Sequence, residues 1–156
     1  MSTGVVIAIV AVVLALGFGL YRARTDGRFR ASSSTADGPA VPAGAEGGTS
    51  DARTWDDVIA ALPDARLGER ATLLQFSSAF CAPCRATRQV LSEVADVVPG
   101  VVHLEVDAEH HLDLVRRLDV LRTPTTLILD ASGREATRAA GAPRKETVLA
   151  TLDGIV

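Results

Sequence analysis

The sequence predicts an α/β fold, a mixed sheet with helices on both faces, preceded by a single transmembrane helix and a flexible linker. Three observations carry that reading. Short apolar runs of strand length alternate with stretches at helical period through residues 52–156. A tight turn, Asp130–Gly133, joins two of those runs and demands an antiparallel hairpin, while the helices supply the crossovers that parallel strands need. The third observation is the uneven spread of the 47% apolar content over the 156 residues. Val5–Tyr21 is apolar at 15 of 17 positions, whereas Ala31–Asp51 has Val41 as its only large apolar residue.

Residues 1–21 are read as the anchor. Val5–Tyr21 carries no charge and no polar face, and its seventeen residues span about 25 Å as a helix, near the lower limit for crossing a bilayer. A cleaved signal peptide would place basic residues before the run and small residues after it. Here Arg22 and Arg24 follow Tyr21 directly. With Arg28 and Arg30 they form a basic flank, and the positive-inside rule then puts the folded domain on the cytoplasmic side. Residues 22–51 make up this flank and an Ala/Gly/Ser/Pro linker, too polar to offset its chain entropy and expected to be a disordered tether that provides reach.

Residues 52–156 form the folded module. Thr54-Trp55-Asp56-Asp57 resembles a capped helix start, and the helix should end before Pro63. Ala71–Ser77 reads as a buried strand and Pro83–Val98 as a helix with Val90, Leu91, Val94, Val97 and Val98 along one side. Pro99-Gly100 stops it. A strand over Val101–Val106, a helix over His110–Leu118, strands at Thr125–Leu129 and Glu135–Ala140, and a helix from Arg144 to about Leu152 complete the order.

Both cysteines lie in Cys81-Ala82-Pro83-Cys84, between a strand and a helix. The helix N-terminus favours an anion, so the Cys81 thiol should ionise more readily than a free one, and Cys84 is one turn away. Pro83 suits the first turn, where its missing N–H costs little. The pair can therefore alternate between dithiol and disulfide. Structural zinc would need about four ligands, and His103, His110 and His111 do not supply the usual spacing. A purely structural disulfide closing so short a loop would stabilise little.

Phe80-Cys81-Ala82-Pro83-Cys84, Val106-Asp107, Thr123-Pro124-Thr125 and Gly141-Ala142 together resemble the thioredoxin family, over roughly Trp55–Leu152. The resemblance implies a thioredoxin fold, a cis bond before Pro124 facing the cysteines, and a Thr123 backbone offered to an extended substrate. It implies Cys81 as nucleophile and Cys84 as resolving residue, with no cofactor beyond the redox-active Cys81–Cys84 disulfide and no metal. The chain departs from the family pattern in five places: Phe80 replaces the usual Trp, Ala82-Pro83 replaces Gly-Pro, Gln75 replaces a buried acid, His103 replaces a lysine, and Gln89 lies near the place of a proline that often kinks the helix. Phe80 should keep an aromatic cover over the site. An amide cannot accept a proton from the resolving thiol, so His103, if it faces inward, is the candidate for that proton traffic.

The functional expectation is a membrane-tethered thiol–disulfide oxidoreductase that reduces protein disulfides and is recharged by a thiol electron donor. One alternative is extracytoplasmic exchange on exported proteins or in cytochrome maturation. Another is a redox-inert binding module. A net charge of -3 without a basic stripe argues against nucleic acid. The module is expected to be monomeric.

Overall fold

Ala71–Ser77 is buried at every position, which is why its sequence ATLLQFS shows no polar face: it lies inside the sheet with helices above and below. The computed structural model describes residues 3–25, 27–31 and 54–155, so the linker proper lies outside the described residues. In chain order the elements are α1 (Thr3–Thr25), β1 (Phe29–Ala31), α2 (Thr54–Ala61), β2 (Ala71–Ser77), α3 (Ala82–Val97), β3 (Val101–Asp107), α4 (Leu112–Arg117), β4 (Thr125–Asp130), β5 (Glu135–Ala140) and α5 (Lys145–Asp153). The strand order across the sheet is β1-β5-β4-β2-β3.

β2 and β3 run parallel, joined by α3, and β4 runs antiparallel to β2. The Asp130–Gly133 turn then returns β5 antiparallel to β4, as the hairpin reading requires. Side-chain alternation sorts the core into two layers. Leu74 and Phe76 of β2 meet Val58 of α2, Leu114 of α4 and Leu127 of β4 on one face. Leu73 packs with Leu91 and Val94 of α3, Ile128 of β4, and Val148 and Leu152 of α5 on the other. Gly133 has φ +80, and a side chain there would meet Trp55 Cβ, whose own N–H donates to the Gly133 carbonyl at 3.0 Å. That contact seats α2 on the hairpin.

Two features extend the sequence reading. α1 is longer than the apolar run and ends at Thr25, and its residues Gly4–Tyr21 are exposed throughout. Phe29–Ala31, within the stretch assigned to basic flank and linker, forms an edge strand paired antiparallel with β5. Three residues are too few for periodicity to reveal. Their pairing comes from β5, which would otherwise be an open edge.

Truncating Phe76, fully buried between helix and sheet, should cost about 3–5 kcal/mol of stability. Truncating Leu121, 86% exposed, should change it by no more than about 0.5 kcal/mol. Urea unfolding of Phe76→Ala and Leu121→Ala checks the contrast.

Candidate functional site

The cysteines sit where β2 ends and α3 begins. Cys81 is the N-cap residue in extended conformation, Ala82 and Pro83 open the helix, and Cys84 is 2% exposed inside its first turn. The two form a disulfide with Cα atoms 5.2 Å apart. The Cys84 N–H points at Cys81 Sγ from 3.1 Å, which places a helix-terminal donor on the outer sulfur. A cleft of about 320 Å³ opens beside the pair, lined among others by Ser77, Cys81, Cys84, Arg88, Glu105 and Asp107.

The Thr123–Pro124 bond is cis. Pro124 is buried, and Thr123 Oγ1 shares a 3.0 Å hydrogen bond with Ser78 Oγ, so the cis-proline loop is fixed to the segment leading into Cys81. The Pro124 carbonyl accepts from Gly141 N–H at 2.8 Å, bringing the Gly141-Ala142 loop to the same end of the sheet. The Thr123 backbone N–H and C=O have no partner among the described residues. They are open to an added strand, as extended peptide recognition requires.

Gln75 faces α3 and is completely buried. Its Nε2 donates to Ser77 Oγ at 2.8 Å and to the Cys84 carbonyl oxygen at 3.0 Å. The carbonyl can only accept, so the amide orientation follows, and Oε1 is turned to His103 Nε2 at 3.1 Å. That ring nitrogen must carry the proton. His103 Nδ1 then accepts from Ser92 Oγ at 3.1 Å when the ring is neutral. Burial holds the His103 pKa below its ordinary value; Glu105 opposes that shift and Arg88 adds to it. Burial also raises the Glu105 carboxyl, but hydrogen bonds from Arg88 and Ser77 outweigh it and leave the group below the usual carboxylate range. Arg88 clamps Glu105 through Nη2 at 2.7 Å and Nε at 2.5 Å.

His103 therefore faces inward, bonded to Gln75. The amide reaches the Cys84 carbonyl, not its sulfur, so this chain of bonds holds Cys84 in place. Phe80 is fully exposed, its ring projecting from the surface beside the disulfide without covering it. The sequence reading missed Ser77, Ser78, Arg88 and Glu105. Strand alternation held the signal for two of them, because Ser77 shares a face with Gln75, and Glu105 shares one with His103.

A family model described as Thioredoxin matches residues 50–154. Thioredoxin H-type of Oryza sativa subsp. indica is 30% identical over 97 residues, covering 62% of this chain and 78% of that protein. Thioredoxin of Equus caballus is 28% identical over 89 residues, covering 57% and 83%. Among solved structures, Fasciola hepatica thioredoxin aligns with TM-score 0.52 at 20% identity, over 65% of this chain and 91% of that one. A mutant thioredoxin of Halobacterium salinarum NRC-1 also reaches 0.52, at 16% identity, over 56% and 75%. These structural likenesses show the fold.

Replacing Gln75 by Leu leaves the His103 Nε2–H without its acceptor and should cost about 1–3 kcal/mol, measured by urea unfolding of the oxidised protein. The lowered His103 pKa means the unfolded chain binds more protons below the ordinary value of 6.5. Stability therefore rises with pH across that window and falls as pH drops through it. Between about pH 7 and about pH 5, the wild-type unfolding midpoint should fall more steeply than that of His103→Gln. Equal slopes would show that burial does not hold this ring neutral.

Proposed function

The chain belongs to the thioredoxin family, and we propose that it is a membrane-tethered disulfide reductase whose folded domain lies on the cytoplasmic side. The observation that carries the chemistry is the Cys81–Cys84 disulfide at the start of α3, with the cis Thr123–Pro124 loop fixed to its approach segment.

In the reduced protein the Cys81 sulfur is the exposed member of the pair, and the Cys84 N–H and helix N-terminus stabilise its thiolate. A substrate segment lies along the open Thr123 backbone. The Cys81 thiolate attacks one sulfur of the substrate disulfide; a Cys81–substrate bond forms, and the other substrate sulfur leaves as a thiolate and takes a proton. Cys84, held by the Gln75 bond to its carbonyl, loses its proton to solvent in the adjoining cleft and attacks Cys81 Sγ. The Cys81–Cys84 disulfide closes, the second substrate thiol departs, and two electrons have passed to the substrate. An external dithiol or paired thiols restore the protein.

Membrane tethering is supported by the exposed apolar stretch Gly4–Tyr21 within α1, long and apolar enough to cross a bilayer. The cytoplasmic side is supported by Arg22, Arg24, Arg28 and Arg30 immediately after it, and reduction suits a compartment that keeps thiols reduced.

Insulin-disulfide reduction with a chemical thiol donor should be abolished in Cys81→Ser. Cys84→Ser should retain the substrate as a mixed disulfide on Cys81, visible on a non-reducing gel. Full turnover by Cys84→Ser with no trapped adduct would reject the two-cysteine cycle.

A further inference from the structure

The chain enters the module at its redox end. Strand registers establish this: Phe76, near the cysteine end of β2, is paired with Thr125, and Thr125 is paired with Ala140 at the end of β5. β5 is parallel to β2, being antiparallel to the β4 between them, so both strands end on the same side. β1 is antiparallel to β5 and begins there, with Phe29 opposite Ala139. Just before it, Gly27 N–H donates to the Ala140 carbonyl at 2.9 Å. Gly27 has φ +74, and a side chain there would run into the Ala142 carbonyl, so the backbone presses directly on the Gly141-Ala142 loop. Phe29 adds its ring to the core layer of Leu73 and Ile128.

The other side of this junction is α1. From Tyr21, the last residue of the apolar stretch, the helix continues for four residues to Thr25, adding about 6 Å. Two further residues to Gly27 add at most about 7 Å. The headgroup layer on each side of a bilayer is about 5–7 Å deep. The docked Gly27 is therefore held in the outer headgroup layer or just above it. From there, hydrogen bonds lead stepwise to the cysteines: Gly27 to Ala140, Gly141 to Pro124, and Thr123 to Ser78. Phe80 and Leu121, both strongly exposed, flank this end, as do the exposed Arg28 and Arg144.

The distance from α1 to the module is then set by the few residues before Gly27, because β1 is itself paired into the sheet. We propose that the redox face is presented to the bilayer surface and that its substrates are disulfides of membrane proteins lying close to the headgroups, with Phe80 and Leu121 contacting the substrate's apolar flank. This deepens the reductase reading above and rests on it, including the reading of α1 as a membrane span.

The test uses the full-length protein in phosphatidylcholine/phosphatidylglycerol vesicles with two substrates. One is a transmembrane peptide carrying a disulfide-linked fluorophore next to its apolar segment; the other is soluble insulin. A Gly/Ser insertion of about twenty residues between Asp26 and Gly27 frees the module from the surface and dilutes the site around the peptide. The peptide rate should fall about tenfold or more while the insulin rate stays unchanged. Gly27→Ala, which releases β1, should give the same loss on the peptide. The same insertion between Gly44 and Ala45 should leave both rates as they were. An insertion before Gly27 that spares the peptide rate, or one after Gly44 that lowers it equally, overturns the proposal. Failure of the wild-type protein to reduce either substrate would overturn the reductase reading instead.

Discussion

A single buried amide joins the sheet to the redox helix. Gln75 lies in the most enclosed strand of the protein, and its two N–H groups and one oxygen are all engaged, by Ser77, the Cys84 carbonyl and His103. An amide cannot ionise, so this seam carries no buried charge to be desolvated. The ionised carboxylate of the neighbourhood stands one strand away, where Glu105 is clamped by Arg88 at the edge of the cleft. Charge is thus kept where water reaches it, and the interior retains only directional hydrogen bonds. Such a network fixes the first turn of α3, and with it the position of Cys84.

That seam depends in turn on the two-layer core. β2 can sit fully buried only because α2 and α4 cover Leu74 and Phe76 while α3 and α5 cover Leu73. The strand is therefore rigid, and the turn that leaves it delivers Cys81 to a defined point at the sheet's end. The cis-proline loop reaches the same point from β4, and the Ser78–Thr123 bond joins the two approaches. Site geometry here is a consequence of strand register: shifting β4 by one residue against β2 would turn Ile128 from its core layer to the opposite face.

The strand after α1 changes what the N-terminal third of the chain means. On composition, anchor, basic flank and polar linker follow one another as membrane, interface and tether. The pairing of Phe29–Ala31 with β5 divides that series differently. The connection between helix and module is short, and the edge of β5 is covered.

Much of this was legible in the sequence because local chemistry determines it. Ala71–Ser77 and Glu135–Ala140 have in the structure the bounds that the sequence predicts, the first from its apolar run and the second from the Asp130–Gly133 turn before it. The cysteine pair at a helix start and the Thr-Pro before an apolar strand were equally local, and their combination indicated family and chemistry. What sequence could not decide were relations between residues distant in the chain. Whether His103 faced inward depended on how β3 lay against α3; the exposure of Phe80 depended on what the loop left uncovered. β1 had no signal of its own, since three residues pair only when another strand offers an edge. Residue types and spacing set the reaction the chain is equipped for. The packing of strands alone decided which groups hold Cys84, and at which end of the sheet β1 begins, because hydrogen bonds across a sheet are specified by register and not by proximity in sequence.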